Sequence, residues 1–288
     1  MSRLSGLAKY PLVSFFALSY AISWAIWIPL VIYYLQNPMQ VFPLPLSLLL
    51  LALIGGFGPT FAALIVTSIQ EGRSGMRRLL SRWLIWRVGI RWYLSIPLIT
   101  IGIRLGAIGL YVLTAGVNPQ INMNLWYMFF LDFLIVVVGG PIAEETGWRG
   151  YAIPRMQKTR SALISSLIVG MLWTFWHAPG FLIPGMALPA VPFDWLVVLN
   201  YFLRVMSLSV LFTWLFNNTR RSIFVAFLFH TAVNSVPQTL FRIFSFGTIS
   251  ADVIFWVTWF TVGLQWLLVA FLIAVFGLAR LSRKQIDD

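Results

Sequence analysis

The chain has 288 residues, of which 60% are apolar or aromatic and only 10% are charged. Its mean hydropathy of +0.87 excludes an ordinary soluble domain and indicates a polytopic membrane protein. The net charge of +12 does not indicate a nucleic-acid partner, because the basic residues lie in short loops between apolar segments. Since the chain has no cysteine, disulfides, thiolate nucleophiles and thiolate metal ligands are excluded.

Eight apolar segments are long enough to cross a bilayer, which takes roughly 20 residues. They predict an all-α fold with about eight transmembrane helices, in a single membrane domain over residues 1–288. The first segment is longer than the apolar core of a signal peptide, so we expect it to remain as an anchor. In chain order the predicted segments are Pro11 to Leu35, Leu46 to Ile69, Trp92 to Leu113, Leu125 to Ile142, Ser161 to Ile183, Trp195 to Phe216, Ser222 to Leu240 and Val253 to Leu278.

Basic residues occur in alternate connections between these segments. The connections Gln36 to Pro45, Gly116 to Asn124 and Pro184 to Asp194 contain no lysine or arginine, and the last of this set carries only Arg242. Positively charged loops stay on the cytoplasmic side of a membrane. The pattern therefore predicts a multi-pass protein of the cell membrane with both termini in the cytoplasm.

A pair of adjacent glutamates ends the fourth segment, in the sequence Glu144-Glu145-Thr146-Gly147-Trp148-Arg149. Carboxylates at membrane depth are costly unless they face a wet cavity or a partner charge. Neighbouring helical residues point about 100° apart, whereas Glu145 and Arg149 have the favourable i,i+4 spacing. We therefore predict that Arg149 holds Glu145 as a structural clamp and that Glu144 faces water as a general base. The alternative is a purely structural salt-bridge cluster.

Both histidines of the chain also lie in apolar segments. His177 follows Trp173 by one helical turn, shortly before a proline, and His230 shares a helix face with Asn234 at i,i+4 spacing. Either pattern alone is more often a packing feature. Together with the glutamates they form polar clusters on three segments, which favours a shared site.

These three patterns resemble the signature of the CAAX protease and bacteriocin-processing family, intramembrane endopeptidases related to type II CAAX prenyl endopeptidases. Its motifs are Glu-Glu-x-x-x-Arg, aromatic-x-x-x-His and His-x-x-x-Asn on successive helices. Here they run from Glu144 to Arg149, from Trp173 to His177 and from His230 to Asn234. The resemblance covers about Leu125 to Leu240, which would be a conical protease-like core formed by the middle helices. Trp173 stands where the family often has phenylalanine.

The resemblance implies hydrolysis of a peptide bond in a membrane-associated protein or peptide, with prenylated CAAX sequences among the candidate substrates and the lipid bilayer as the environment. Glu144 would activate water, and His177 would orient or deprotonate it. His230 and Asn234 would donate hydrogen bonds to the oxyanion, with Glu145 and Arg149 as structural support. We expect the four catalytic candidates to line one cavity that opens toward the basic side.

The resemblance leaves the role of a metal open. Glu144, His177 and His230 would be the ligands of a zinc ion with one open position, and the family is often labelled a metalloprotease. The sequence contains no His-Glu-x-x-His motif that would decide the question. We prefer a metal-free site, because Asn234 beside His230 suits an oxyanion pocket better than a zinc shell.

Two other functions remain open at this point. One is a transporter, in which these residues and further intramembrane charges form a relay, and the other is a non-catalytic scaffold or bacteriocin-immunity protein. The further charges are Arg104, Asp132 and Arg204. We predict that Asp132 pairs with one of these arginines; alternatively, the arginines receive the terminal carboxylate of a substrate.

Overall fold

Helices form nearly all of the regular structure in the computed structural model, which describes residues 9–37, 45–183, 185–189, 194–247 and 251–283. The helices are α1 (Pro11–Gln36), α2 (Leu46–Gly56), α3 (Gly58–Ser81), α4 (Ile90–Ala115), α5 (Met128–Val138), α6 (Pro141–Glu145), α7 (Ile153–Met156), α8 (Ala162–Trp176), α9 (Trp195–Asn218), α10 (Ile223–Ile243) and α11 (Ala251–Phe276). Short 3₁₀ turns cover Arg82–Leu84, Met123–Leu125 and Ala178–Leu182, and a π-helical segment covers Thr146–Ala152. The two-residue strands β1 (Gln120–Ile121) and β2 (Phe244–Ser245) pair antiparallel.

The all-α polytopic fold predicted from composition is confirmed. Within the described ranges, six helical spans are long and apolar enough to cross a membrane, or seven if the bent pair Met123–Val138 and Pro141–Met156 counts as one. The predicted segment from Ser161 to Ile183 contains only the 15-residue helix α8. At about 1.5 Å per residue this helix is too short for a hydrocarbon layer of roughly 30 Å. Pro179 follows in a 3₁₀ turn, because proline cannot continue the hydrogen bonding of an α-helix.

The arginine-rich segments meet at one end of the helix bundle, which we call the basic end (residues 82–91, 146–160, 217–222 and 278–283). Arg82 donates to the carbonyl of Gly150 at 2.7 Å, and Ser222 donates to the carbonyl of Ile85 at 2.5 Å. The amide of Asn217 donates to a carbonyl of the 278–283 segment at 2.8 Å. These contacts place four of the predicted positive loops side by side.

The weakly charged connections form the opposite end (residues 116–125, 185–189, 194–195 and 243–247 with 251–252). Here β1 pairs with β2, and the Tyr111 hydroxyl lies 3.3 Å from Asp252. Residues 1–8 and 284–288, and most of the predicted connection from Gln36 to Pro45, lie outside the described residues. The side of the membrane that each end faces stays a prediction from the charge pattern.

The core lies where α8, α9 and α10 pack together, with α5 and α4 against α10 and α11 against α9. Buried serines join α8 to α9, since Ser209 donates to the carbonyl of Ser166 at 2.7 Å. Small polar residues let transmembrane helices approach closely and bond to one another. This core holds the helices that carry the three sequence motifs.

Candidate active site

A break in the chain presents the two glutamates. Gly139 and Gly140 separate α5 from α6, and Gly140 has a φ of 150°, a conformation that L side chains rarely adopt. Pro141 then begins α6, a position where its missing N–H costs nothing. Helix α6 continues into the π-helical segment Thr146–Ala152. Such segments are rare and frequently occur at functional sites.

The π-helical segment packs tightly against α3. A Cβ atom placed on Gly147 would lie 2.6 Å from the carbonyl oxygen of Pro59, so no larger residue fits there without movement. Trp83 also donates its indole N–H to Thr146 at 2.9 Å. These contacts close the basic end behind the glutamates.

Glu145 and Arg149 are both completely buried, with 0% of each side chain exposed. Arg149 Nη1 donates to Glu145 Oε1 at 2.9 Å, at the i,i+4 spacing read from the sequence. His230 Nδ1 lies 2.7 Å from the same oxygen, a contact that sequence reasoning missed. The Arg149 guanidinium also lies over the rings of Trp173 and Phe212, at 4.2 and 3.8 Å. One buried ion pair thus joins α6 to α8, α9 and α10.

Glu144 has a different partner from its neighbour. It is 5% exposed, and its Oε2 accepts a hydrogen bond from Trp173 Nε1 at 2.6 Å. The Trp173 ring also meets His230 edge to face at 5.3 Å. The sequence motif identified Trp173 only as an aromatic position. One feature of the sequence could have indicated that Trp173 is a donor: it stands where phenylalanine is common, and only tryptophan has an indole N–H.

His177 ends α8 and is held by the backbone of the same helix. Its Nδ1 lies 2.9 Å from the carbonyl oxygen of Trp173. Because a carbonyl only accepts, Nδ1 carries the proton, and Nε2 of the neutral ring keeps its lone pair. The rings of Trp176 and Tyr201 meet the imidazole edge to face at 4.6 and 5.8 Å. Tyr201 was another residue that the motifs did not reveal.

The four catalytic candidates line one cavity of about 1380 Å³: Glu144, His177, His230 and Asn234. Asn234 is half-buried, and within the described part of the chain its side chain makes no hydrogen bond. Its amide therefore remains available to a ligand in the cavity. The structure thus brings together residues from α6, α10 and the end of α8.

The cavity does not open where the charge pattern predicts. Its lining includes residues 185–189, 194–195 and 251–252 of the opposite end. No described residue of the basic end lines it. The predicted opening toward the basic side is therefore wrong. The reason is that the π-helical segment packs against α3 and that Glu145 and Arg149 are completely buried, so these residues fill the basic end.

The three residues named as ligands in case a zinc ion is present, Glu144, His177 and His230, are not arranged around one point. Among the described residues, no three histidine, aspartate or glutamate side chains are placed to hold one ion. The mechanism proposed below therefore contains no metal-dependent step.

The predicted pairing of Asp132 is also wrong. Asp132 is buried on α5 and accepts hydrogen bonds from Arg242 and from Thr239, the latter at 2.6 Å. Arg242 was assigned to a loop, but α10 continues to Ile243 and carries the arginine on the face that meets α5. Arg104 and Arg204, the partners that were predicted, instead line the cavity.

Comparisons with known proteins support the resemblance. Residues 126–236 match the family model described as type II CAAX prenyl endopeptidase Rce1-like. Over 130 residues the chain is 28% identical to the CAAX prenyl protease 2 of Methanococcus maripaludis. That alignment covers 43% of this chain and 48% of the relative, so the match spans about half of the relative's length. The family match falls on the segment that carries the three motifs, and the predicted resemblance is confirmed.

Proposed function

We propose that this chain, whose residues 126–236 match the model of the type II CAAX prenyl endopeptidase family, is an intramembrane endopeptidase acting on a membrane-associated protein or peptide. The observation that carries the proposal is the convergence of Glu144, His177, His230 and Asn234 on one cavity. Packing alone does not require polar groups from three separate elements to face a common space. A hydrolytic site does require them, because it needs a base and oxyanion donors on opposite sides of one carbonyl.

The proposed role of His230 as an oxyanion donor requires an N–H group at both ring nitrogens. In that state Nδ1–H donates to Glu145 at 2.7 Å, and Nε2–H remains to donate into the cavity.

The proposed reaction begins with a water molecule between Glu144 and His177. The water oxygen bonds to the peptide carbonyl carbon while one water proton passes to the Glu144 carboxylate. The second water hydrogen stays on the oxygen and donates a hydrogen bond to His177 Nε2, which orients the water. The carbonyl π electrons move onto oxygen, and His230 Nε2–H and the Asn234 amide donate to the resulting oxyanion. The carbonyl then re-forms, the C–N bond breaks, and Glu144 returns its proton to the leaving amine. The base would contribute roughly 10²- to 10⁴-fold, and one oxyanion donor about 10²- to 10³-fold.

The finer substrate proposal is a protein whose carboxyl end is prenylated, as in CAAX sequences. Support comes from the apolar side of the cavity, which reaches Ile135 and Val136 on the outer surface of α5. Ile135 is 70% exposed on a helix of a multi-pass protein, so an apolar chain in the bilayer would meet it directly. The cavity is therefore accessible to a lipid-linked substrate from the side as well as from the opposite end.

Substitution of Glu144 tests the proposal. In proteoliposomes with farnesylated and unmodified peptides, Glu144→Gln should lower kcat by at least about 10²-fold without lowering the melting temperature. Glu71→Gln is a matched control, because Glu71 pairs with Arg78 and Arg155 away from the cavity. Full activity of Glu144→Gln would contradict the proposed base. No hydrolysis by the unaltered protein would favour the non-catalytic alternative.

A further inference from the structure

Two arginines that line the cavity, Arg104 and Arg204, have no ion-pair partner among the described residues. From them we propose that Arg104, Arg204 and Asn200 form a subsite for a carboxylate, the free carboxyl terminus of the peptide substrate. The inference rests on the proposed endopeptidase function and adds the part of the substrate that sets the cleavage position. Both arginines and Asn200 line the same cavity as Glu144.

The described carboxylates all have other hydrogen-bond or ion-pair partners, including Glu144, Asp194 and Asp252, which also line the cavity. Glu71, Asp132 and Glu145 form ion pairs with other arginines, and Glu144 accepts from Trp173. Asp194 caps the first turn of α9, and Asp252 accepts from Tyr111. Within the described residues, neither Arg104 nor Arg204 has an ion-pair partner. The buried Arg104 and the half-buried Arg204 therefore place two guanidiniums without ion-pair partners at membrane depth, which is costly and indicates an anionic ligand.

Unused donors converge on the same place. Arg104 is 4% exposed, yet its Nε has no hydrogen-bond partner, and its only hydrogen bond among the described residues is from Nη1 to Thr261 at 3.2 Å. Arg204 Nε and Asn200 Nδ2 are likewise buried without a partner. Buried donors are normally satisfied, so three unpaired N–H groups beside one cavity indicate a ligand that accepts hydrogen bonds.

The space between the arginines suits a small anion. A pocket of about 40 Å³ lies between Arg104, Arg204 and Thr261. One water-sized group needs about 10–15 Å³, so this pocket holds roughly three such groups, as a carboxylate requires. A guanidinium binds carboxylate in a planar, often bidentate arrangement.

The proposed catalytic centre lies within reach of a short peptide bound at Arg204. The Arg204 guanidinium lies 5.7 Å from the Tyr201 ring, which in turn lies 5.8 Å from the His177 imidazole, so the guanidinium and the imidazole are no farther apart than these two distances together. Three extended residues span roughly 10 Å. A peptide whose carboxyl terminus is held at Arg204 can therefore reach His177 with its last two or three residues. The subsite would make the enzyme measure its cut from the end of the substrate.

Binding to a protein that cannot turn over separates this inference from the proposed activity. In the Glu144→Gln background, we would measure the affinity of a fluorescent peptide that ends in an S-farnesylated cysteine and three apolar residues, as a free acid and as a carboxyl-terminal amide. The acid should bind about 10- to 100-fold more tightly, the range expected for a charge-assisted hydrogen-bonded pair. Arg104→Gln and Arg204→Gln should each reduce that preference toward onefold while leaving the affinity for the amide little changed. Arg87→Gln, an exposed arginine at the basic end, is the control that should retain the preference.

Equal binding of acid and amide by the background protein would overturn the inference, whatever the variants do. A uniform loss for both peptides in the arginine variants would also overturn it, since that result indicates only a structural role. The assay is repeated in nanodiscs of phosphatidylcholine with and without phosphatidylglycerol. If the background protein prefers the acid only in phosphatidylcholine and loses that preference with phosphatidylglycerol, the anionic lipid occupies the arginine subsite and the peptide assignment fails.

Discussion

Two adjacent residues, Glu144 and Glu145, have opposite surroundings although they share one helical turn. Glu145 accepts from Arg149 and His230 at one oxygen and is completely buried. Glu144 accepts from Trp173 and borders the cavity. The division of labour proposed for the pair therefore predicts different consequences for their substitution.

Removal of either member of the buried ion pair should destabilise the protein. Glu145→Ala or Arg149→Ala leaves its partner charged and buried, which typically costs roughly 3–5 kcal/mol. We expect a lower melting temperature together with lost activity, measured in detergent by differential scanning fluorimetry and peptide hydrolysis. Glu144→Gln should keep the parent melting temperature. Equal stability losses in all three variants would instead indicate a purely structural cluster.

Trp173 should position Glu144 through its indole N–H. Trp173→Phe keeps an aromatic ring but removes the hydrogen bond of 2.6 Å to the carboxylate. A hydrogen bond to a charged group is worth about 1.5–3 kcal/mol, so kcat should fall roughly 10- to 100-fold with KM little changed.

The matched control for this change is Trp266→Phe. Trp266 also donates its indole N–H, to the carbonyl of Leu203 at 3.1 Å, and does not line the cavity. The Trp266→Phe variant should be less stable than the unaltered protein but have the same kcat. A Trp173→Phe enzyme with unaltered kcat would show that Glu144 needs no help from the indole.

At the scale of secondary-structure elements, the break between α5 and α6 decides where the glutamates point. Gly140 has a φ of 150°, and a Cβ atom there would lie 3.2 Å from Glu144 Oε1. Gly140→Ala should therefore cost about 1–3 kcal/mol in backbone strain and displace the carboxylate. We expect the folded Gly140→Ala variant to have a lower kcat than the unaltered protein, measured at a temperature where both are folded, so that unfolding does not account for the loss.

The neighbouring glycine supplies the comparison. Gly139 has a φ of −88°, and a Cβ atom there would meet nothing nearer than 3.5 Å. Gly139→Ala should consequently remain active. If both alanine variants behave alike, the conformation of Gly140 is not what positions Glu144.

At the scale of the whole molecule, the two ends of the bundle predict a topology. The chain has no cysteine, so single cysteines give an unambiguous signal. In intact cells, a membrane-impermeant maleimide should label Asn118→Cys at the opposite end and should not label Arg160→Cys at the basic end until the cells are permeabilised. Both residues are exposed. The reverse labelling would contradict the cytoplasmic location predicted for the termini from the positive-inside rule.

Metal content and pH dependence report on the complete site. The proposed mechanism predicts that chelator leaves activity unchanged and that active protein contains no stoichiometric zinc. Activity should fall in acid, because a protonated Glu144 cannot accept the proton of water and a protonated His177 cannot accept its hydrogen bond.

Elemental analysis decides the metal question, because a zinc site would also lose activity in acid. Zinc at one equivalent, with activity lost to chelator and restored by zinc, would contradict the metal-free mechanism.

Composition and local spacing by themselves determined the membrane class, the approximate bounds of the long helices and the residues of the three motifs. Helix length and apolar content are properties of contiguous sequence, and an i,i+4 pair such as Glu145 and Arg149 meets within one element. The short α8 was not evident, because the apolar run continues past the point where Pro179 ends the helix.

Only the tertiary structure decided which distant groups meet. Trp173 bonds to Glu144 across 29 residues of sequence, His230 to Glu145 across 85, and Arg242 to Asp132 across 110. The direction in which the cavity opens depends on how the π-helical segment packs against α3. Such contacts follow from the relative placement and rotation of whole helices, to which many side chains contribute at once. No periodicity within a single segment encodes them.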